Sequence, residues 1–373
     1  MPMDPLSAHL DRGWDLVQKG DLRAARAAAL RALESDRESP EVHNLLGFIA
    51  TQEGDPDAGL EHYRTAMSLD DGYVDPMLNA AEVLIHPLHE YDQAVELCDE
   101  VLEFAETREE KADALLLKFD ALLASGNGEL ARTALRRIPE GPWEGPTYPF
   151  LLGRALFESG QAAEAEPLLR QALERDPHNA DVHYYLGLVL EERQDRRAAA
   201  LAFLEARELD LHAAAPPWSL QRDAFHQCVQ KALGRLEPEA ARHLDDALVL
   251  VSDVPGLEIV CDGVDPRIPV LLDGIKPPGG PGPLAARVIV YQHNVERLCG
   301  GVEQLEDELA LQLAEEIKHV LAHADRETPG SDRPGGRGGP VDPRGRDATR
   351  DRERDKSETV EEPRPSAPPT RKP

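Results

Sequence analysis

Gly13 and Gly47 stand 34 residues apart, as do Gly20 and Gly54, and Ala32 and Ala66. The same interval separates Gly153 from Gly187, Ala165 from Ala199 and Ala172 from Ala206. Small residues recurring at one interval in two separate places mark an internal repeat. A unit of this length cannot bury its own apolar stripe, so the fold must be a stack in which each unit covers the next. The segment LLGRALFESGQAAEAEPLLRQALERDP gives the reasons for the markers. Gly153 is small because a second helix of the same unit crosses close to it. Gly160 falls at the turn between the helices, where a positive φ is cheap for glycine. Ala165 and Ala172 let the second helix approach its neighbours, and Pro177 ends it.

The pattern resembles the tetratricopeptide repeat (TPR) family, whose unit is two antiparallel helices. Six repeats start near residues 6, 40, 74, 108, 146 and 180. The third has an extra residue in its turn, around His86-Pro87-Leu88-His89. The fourth keeps Gly126 and Ala131 but runs into an irregular connection from Pro139 to Pro149. The resemblance implies a solenoid over 6–212 whose first helices line a concave face that holds a protein or peptide partner. Helical spacing points Trp14, Asn44, Phe48, Arg154, Phe157 and Tyr184 inward on that face. Read as function, these are aromatic anchors and polar clamps of a peptide groove. Read as structure, they fill gaps between helices.

Charge narrows the partners. The chain of 373 residues has a formal net charge of -29, too negative for phosphate backbones, which need a cationic footprint. Residues 326–373 carry 12 basic and 10 acidic residues, so residues 1–325 carry 29 and 60. Such an acidic body favours basic or neutral partners and argues against nucleic acid. No run approaches the ~20 consecutive apolar residues of a membrane span. Met1-Pro2-Met3-Asp4-Pro5 opens no signal peptide. The four cysteines are scattered, without a CxxC pair, as expected of buried thiols in a reducing cytoplasm. Phosphate-binding GxxxxGK[ST] and nucleophile GxSxG motifs are absent, and PPGGPGP reads as a loop.

Beyond a linker at 213–221 the pattern changes. AFHQCVQKALGRL has helical spacing and Glu237–Leu244 reads as a second, short helix. Apolar runs at 247–255, LEIV (257–260), IPVLL (268–272) and RVIVY (287–291) read as strands between Gly/Pro turns, and a last helix spans about Glu303–Ala324. The order α-α-β-β-β-β-α describes a small α+β domain over 222–325.

FHQCVQKALGRL, LDDALVLVSDVP, the strand before Asp273-Gly274, VIVYQHNVERLC and the final helix together resemble the minimal zincin-like metallopeptidase family of bacteria. In that family the final helix carries H-E-x-x-H-x5-D. Two ligands at i and i+4 share a helical face, a glutamate activates the metal-bound water and a later carboxylate closes the site. Here the helix reads Glu315-Glu316-Ile317-Lys318-His319 and then, five residues on, Asp325. The resemblance makes Glu316 the general base and His319 and Asp325 ligands, while Glu315 stands in place of the first histidine. Three readings stay open: a site without metal on a domain kept as a binding module; Glu315, His319 and Asp325 as zinc ligands; or Glu315 and His319 joined by His323. Polar residues on a solvated helix give the same letters.

Residues 326–373 lack aromatics and are dense in Pro, Gly, Arg, Asp and Glu, a composition expected to stay disordered. The whole reads as mainly α: a TPR solenoid, a small α+β zincin-like domain and a disordered tail. The function expected is that of a cytoplasmic, bacterial interaction adaptor without a cofactor, with an inactive metallopeptidase-like domain. The alternative is a zinc peptidase whose repeats recruit protein substrates.

Overall fold

The structure is a computed structural model that describes residues 5–86, 88–143, 145–275 and 284–324, with backbone only at 323 and 324. Asp325, Lys276 with the whole PPGGPGP loop (277–283), and the 326–373 tail lie outside the described residues.

Twelve of the described helices form six antiparallel pairs. They are α1 (Pro5–Gln18) with α2 (Leu22–Ser35), α3 (Pro40–Gln52) with α4 (Pro56–Leu69), and α5 (Val74–Ile85) with α6 (Tyr91–Phe104). Next come α7 (Arg108–Ala124) with α8 (Gly128–Leu135), α9 (Tyr148–Glu158) with α10 (Ala162–Arg175), and α11 (Ala180–Glu192) with α12 (Arg196–His212). Local chemistry starts them where the 34-residue interval requires. Pro40 and Pro56 open their helices, and the side chains of Ser39 and Asp55 accept from the backbone N–H groups of Val42 and Ala58. Thr107 and Glu110 cap α7 reciprocally.

The turns between paired helices repeat one backbone state. Gly20, Gly54, Gly126 and Gly160 all have φ between 76° and 85°. In the sixth pair Gln194, 34 residues after Gly160, takes the same left-handed state at φ 66°. The helix crossings repeat as well. A Cβ on Gly47 would lie 2.6 Å from the Tyr63 ring, and one on Gly153 2.9 Å from Leu169.

The fourth pair is short on one side, since α8 has only 8 residues. The irregular connection after it is fastened to its surroundings. Trp143 stacks on Tyr148 at 4.8 Å, the Tyr148 hydroxyl donates to Asp113 at 2.8 Å, and Arg108 donates to the Pro142 carbonyl at 3.0 Å.

Residues 213–324 hold α13 (Arg222–Gly234), α14 (Pro238–Arg242), β1 (Leu248–Ser252), α15 (Leu257–Cys261), β2 (Val270–Asp273), β3 (Arg287–Tyr291), α16 (Gln292–Arg297) and α17 (Leu305–Ala324). The described strands form one mixed sheet in the order β1-β3-β2, with β1 parallel and β2 antiparallel to β3. Helices α13 and α17 cover it, with Phe225, Val229, Leu309 and Leu313 buried against Val288 and Val290.

The strand expected at LEIV is instead helix α15. A short apolar run fits a strand and a buried helical turn equally well, and tertiary packing decides. Gly256 caps the turn, and Val260 enters the apolar core of the last helix pair beside Phe203 and Ala206. The segment 255–267 thus covers the end of the solenoid, which would otherwise leave an apolar face open.

Polar contacts reinforce this junction. Arg267 donates to both oxygens of buried Asp210 at 2.9 and 3.2 Å and pairs with Asp181 at 2.8 Å. Arg297 pairs with Asp210 as well. The Arg207 guanidinium donates to the Pro255 carbonyl at 2.6 Å.

Candidate functional site

The first helices of the first three pairs bring Trp14, Asn44 and Phe48 together. With Tyr73, Asp75, Leu78 and Asn79 they line a pocket of about 270 Å³. The Trp14 and Phe48 rings form one wall, 5.5 Å apart and tilted by 58°. The floor is a polar chain: Asn79 donates to Asn44 at 3.0 Å, and Asn44 donates to the Tyr73 hydroxyl at 3.2 Å. Asn44 is 3% exposed, so this chain fixes its amide beneath the opening.

A second pocket of about 150 Å³ shares Phe48 and Asn79 with the first and runs on past Thr51, Tyr63 and Glu82. The two form one groove along α3 and α5. Asp75 lies at its rim, in the first turn of α5, where an acid also suits the helix dipole. Desolvation first, and then the charge of Glu110, hold the Asp75 carboxyl above its usual range.

Arg154, Phe157 and Tyr184 do not join this groove. Arg154 donates to Asp120 at 2.8 Å, so its charge is spent inside the stack. Phe157 packs edge-on against Tyr185 at 6.1 Å and fills the space between α9 and α11. Tyr184 was expected to face a ligand, and the structure corrects this. Tyr184 is 2% exposed, its ring lies under the Arg267 guanidinium at 4.4 Å, and its hydroxyl donates to Asp265 at 2.9 Å. Asp265 and Arg267 of the 255–267 segment cover this face of Tyr184. Burial, then the Asp265 charge, push the Tyr184 hydroxyl well up.

Sequence reasoning missed Tyr73, Asp75 and Asn79. A signal was present for Asn79, which follows Asn44 by nearly one repeat interval. The Asp210–Arg267–Arg297 network had none, because its members are far apart in the chain and belong to no pattern.

On α17, Glu316 turns inward and His319 outward. Glu316 accepts from the Leu272 backbone N–H on β2 at 3.3 Å, and burial raises its carboxyl to about 7. His319 Nδ1 lies 3.7 Å from Glu316 Oε2, with its side chain 53% exposed. Glu315 is half-buried and Lys318 exposed. Asp325 and the His323 side chain lie outside the described residues, so their approach to Glu315 and His319 is not part of the described geometry. Among the described residues no three His, Cys, Asp or Glu side chains gather as a metal site. Nor is any described helix long and apolar enough to cross a membrane.

Comparison with curated proteins finds no match. Among solved structures the chain is similar to PilF of Pseudomonas aeruginosa, at 18% identity over 56% of this chain and 93% of that one, with a TM-score of 0.48. It is similar to PilW, a type IV pilus biogenesis factor, at 18% identity over 56% of this chain and 94% of that one, also at 0.48. It is similar to YrrB, a TPR protein with an unusual peptide-binding site, at 20% identity over 49% and 92%, with a TM-score of 0.36. A tetratricopeptide repeat family model matches residues 10–73 and 150–216. Residues 10–73 and 150–216 of the helical solenoid are therefore tetratricopeptide repeats.

Proposed function

We propose that the protein is an interaction adaptor whose groove along α1, α3 and α5 holds a peptide segment of a protein partner. The observation that carries this is the pocket itself. Two aromatic rings form a wall above a fixed amide floor, an anchor-and-clamp arrangement suited to an extended chain. The repeats nearer the other end have their corresponding side chains engaged inside the protein. The α+β region then acts as a module that closes the solenoid rather than as a catalyst.

The test is a photo-crosslinking residue at Leu78, which lines the pocket, in cells that make the protein. A discrete crosslinked partner, lost on Phe48→Ala and absent when the probe replaces exposed Leu201, is expected. Equal crosslinking from both positions would refute the groove.

One observation favours a second reading, that of a zinc peptidase. A buried carboxyl near neutrality, as at Glu316, is what a general base needs. Glu315 and His319 with Asp325 or His323 would be its ligands. Against it stands the histidine replaced by Glu315, since carboxylate for imidazole changes the donor set. This reading requires about one zinc per chain in the purified protein, lost on His319→Ala. Absence of zinc from the unmodified protein removes it.

A further inference from the structure

The adaptor reading leaves the kind of peptide open, and the chemistry of the groove narrows it. We propose that the partner segment is basic, and that it seats an arginine or lysine side chain against Trp14 and Phe48 with Asp75 as its counter-charge. This deepens the adaptor reading and rests on it.

Three independent features point the same way. The first is the wall: two aromatic rings line one pocket, and a cation seated over the face of either would be attracted to it. The second is sign. Asp75 and Glu82 line the two pockets, and neither lining contains a lysine or arginine. His86 also lines the second pocket, but in the first an acidic side chain would meet Asp75 with no lysine, arginine or histidine in the lining. A basic one finds Asp75 beside the rings and Glu82 further along, so successive basic residues have successive acceptors. The third is the state of Asp75. Partial burial and the Glu110 charge already disfavour its ionised form, and a bound cation would relieve both. The acidic body carries the preference outward, since a chain of net charge -29 draws basic segments from a distance. That long-range field selects no site, and any test must separate it from the groove.

The probe is a fluorescein-labelled nine-residue peptide, three repeats of Gly-Ser-Arg, titrated with the full chain and read by anisotropy. The same peptide with Gln or Glu in place of Arg serves as comparison. The Arg peptide should bind most tightly. Asp75→Asn should weaken it roughly tenfold, the loss of one charge-assisted contact. Asp75→Glu should largely restore it. Asp57→Asn removes the same charge from an exposed site outside both pockets and should change binding by less than about twofold.

Equal weakening by Asp75→Asn and Asp57→Asn would mean that only the general field acts, and would overturn the inference. Equal or tighter binding of the Gln or Glu peptide, lost on Phe48→Ala, would overturn the basic class and leave the groove standing. Failure of all three peptides to bind overturns the inference as well. The crosslink at Leu78 then decides separately whether the groove has any partner.

Discussion

Glu316 occupies a position where a charged carboxylate is costly. Its side chain is 14% exposed, faces the backbone of β2, and has its carboxyl raised to about 7 from an ordinary 4.5. A carboxyl raised by burial favours the folded state most when protonated. That contribution is full below pH 4.5 and is lost as pH rises through 7. Its size follows from the shift and is on the order of 3 kcal/mol. Gln fits the same space and still accepts from Leu272, so Glu316→Gln should match the native protein at pH 4 and exceed its stability at pH 8. Urea unfolding at the two values measures this, and a difference that does not change with pH would refute it. The motif located Glu316 in the sequence, but only the fold shows its environment. A motif names a residue type at a spacing, whereas burial depends on β2, more than 40 residues earlier.

Helix pairs were the most legible elements, because their markers are steric and local. Gly153 was expected to be small where its own second helix crosses, and Leu169 of α10 is indeed the atom set a Cβ would strike. Gly187 repeats this against Phe203 of α12, whose ring carbons a Cβ would overlap. Phe203 is 5% exposed and has little room to move. Gly187→Ala should therefore force α11 and α12 apart. The loss should be about 1–3 kcal/mol, the usual range for an overpacked core, despite the better helix propensity of alanine. A thermal melt that rises instead would show the crossing to be slack. Gly13 was less legible: the same small residue at the same interval meets Leu45 of the following pair rather than its own second helix. The interval reveals that a close approach exists, not which helix makes it. Short apolar runs were least legible, as α15 shows. Four residues, three of them apolar, carry no period, and packing of Val260 against the last helix pair determined their conformation.

Across the whole molecule the sequence suggested a division at 213–221, and composition alone supports a boundary there. Residues 212–215 are exposed, yet the chain on either side is tied together away from the linker. Asp210, 5% exposed, holds both Arg267 and Arg297, while Val260 sits in the core of the last repeat. We propose that the two parts remain separate domains in sequence and fold while behaving as one body through this junction. A protease site placed at 213–217 allows the two ideas to be tested together. After cleavage, the two fragments of the native sequence should stay together on gel filtration, because Asp210 and Val260 act without the linker. In the Asp210→Ala protein two arginines lose their buried shared acceptor and are left with Asp181 between them, and Arg267 is only 12% exposed. Removing one member of a buried ion pair costs about 3–5 kcal/mol, because the remaining charge stays desolvated. The fragments of the nicked variant should then have a dissociation constant roughly a hundred- to several-thousandfold higher than those of the nicked native protein. Asp210→Asn, which keeps the shape and one acceptor, should fall between them. Separation of the native fragments on nicking would mean that the linker holds the parts together. Fragments of Asp210→Ala that remain bound as tightly as native would mean that apolar contact around Val260 suffices and the buried charges contribute nothing to holding the junction closed.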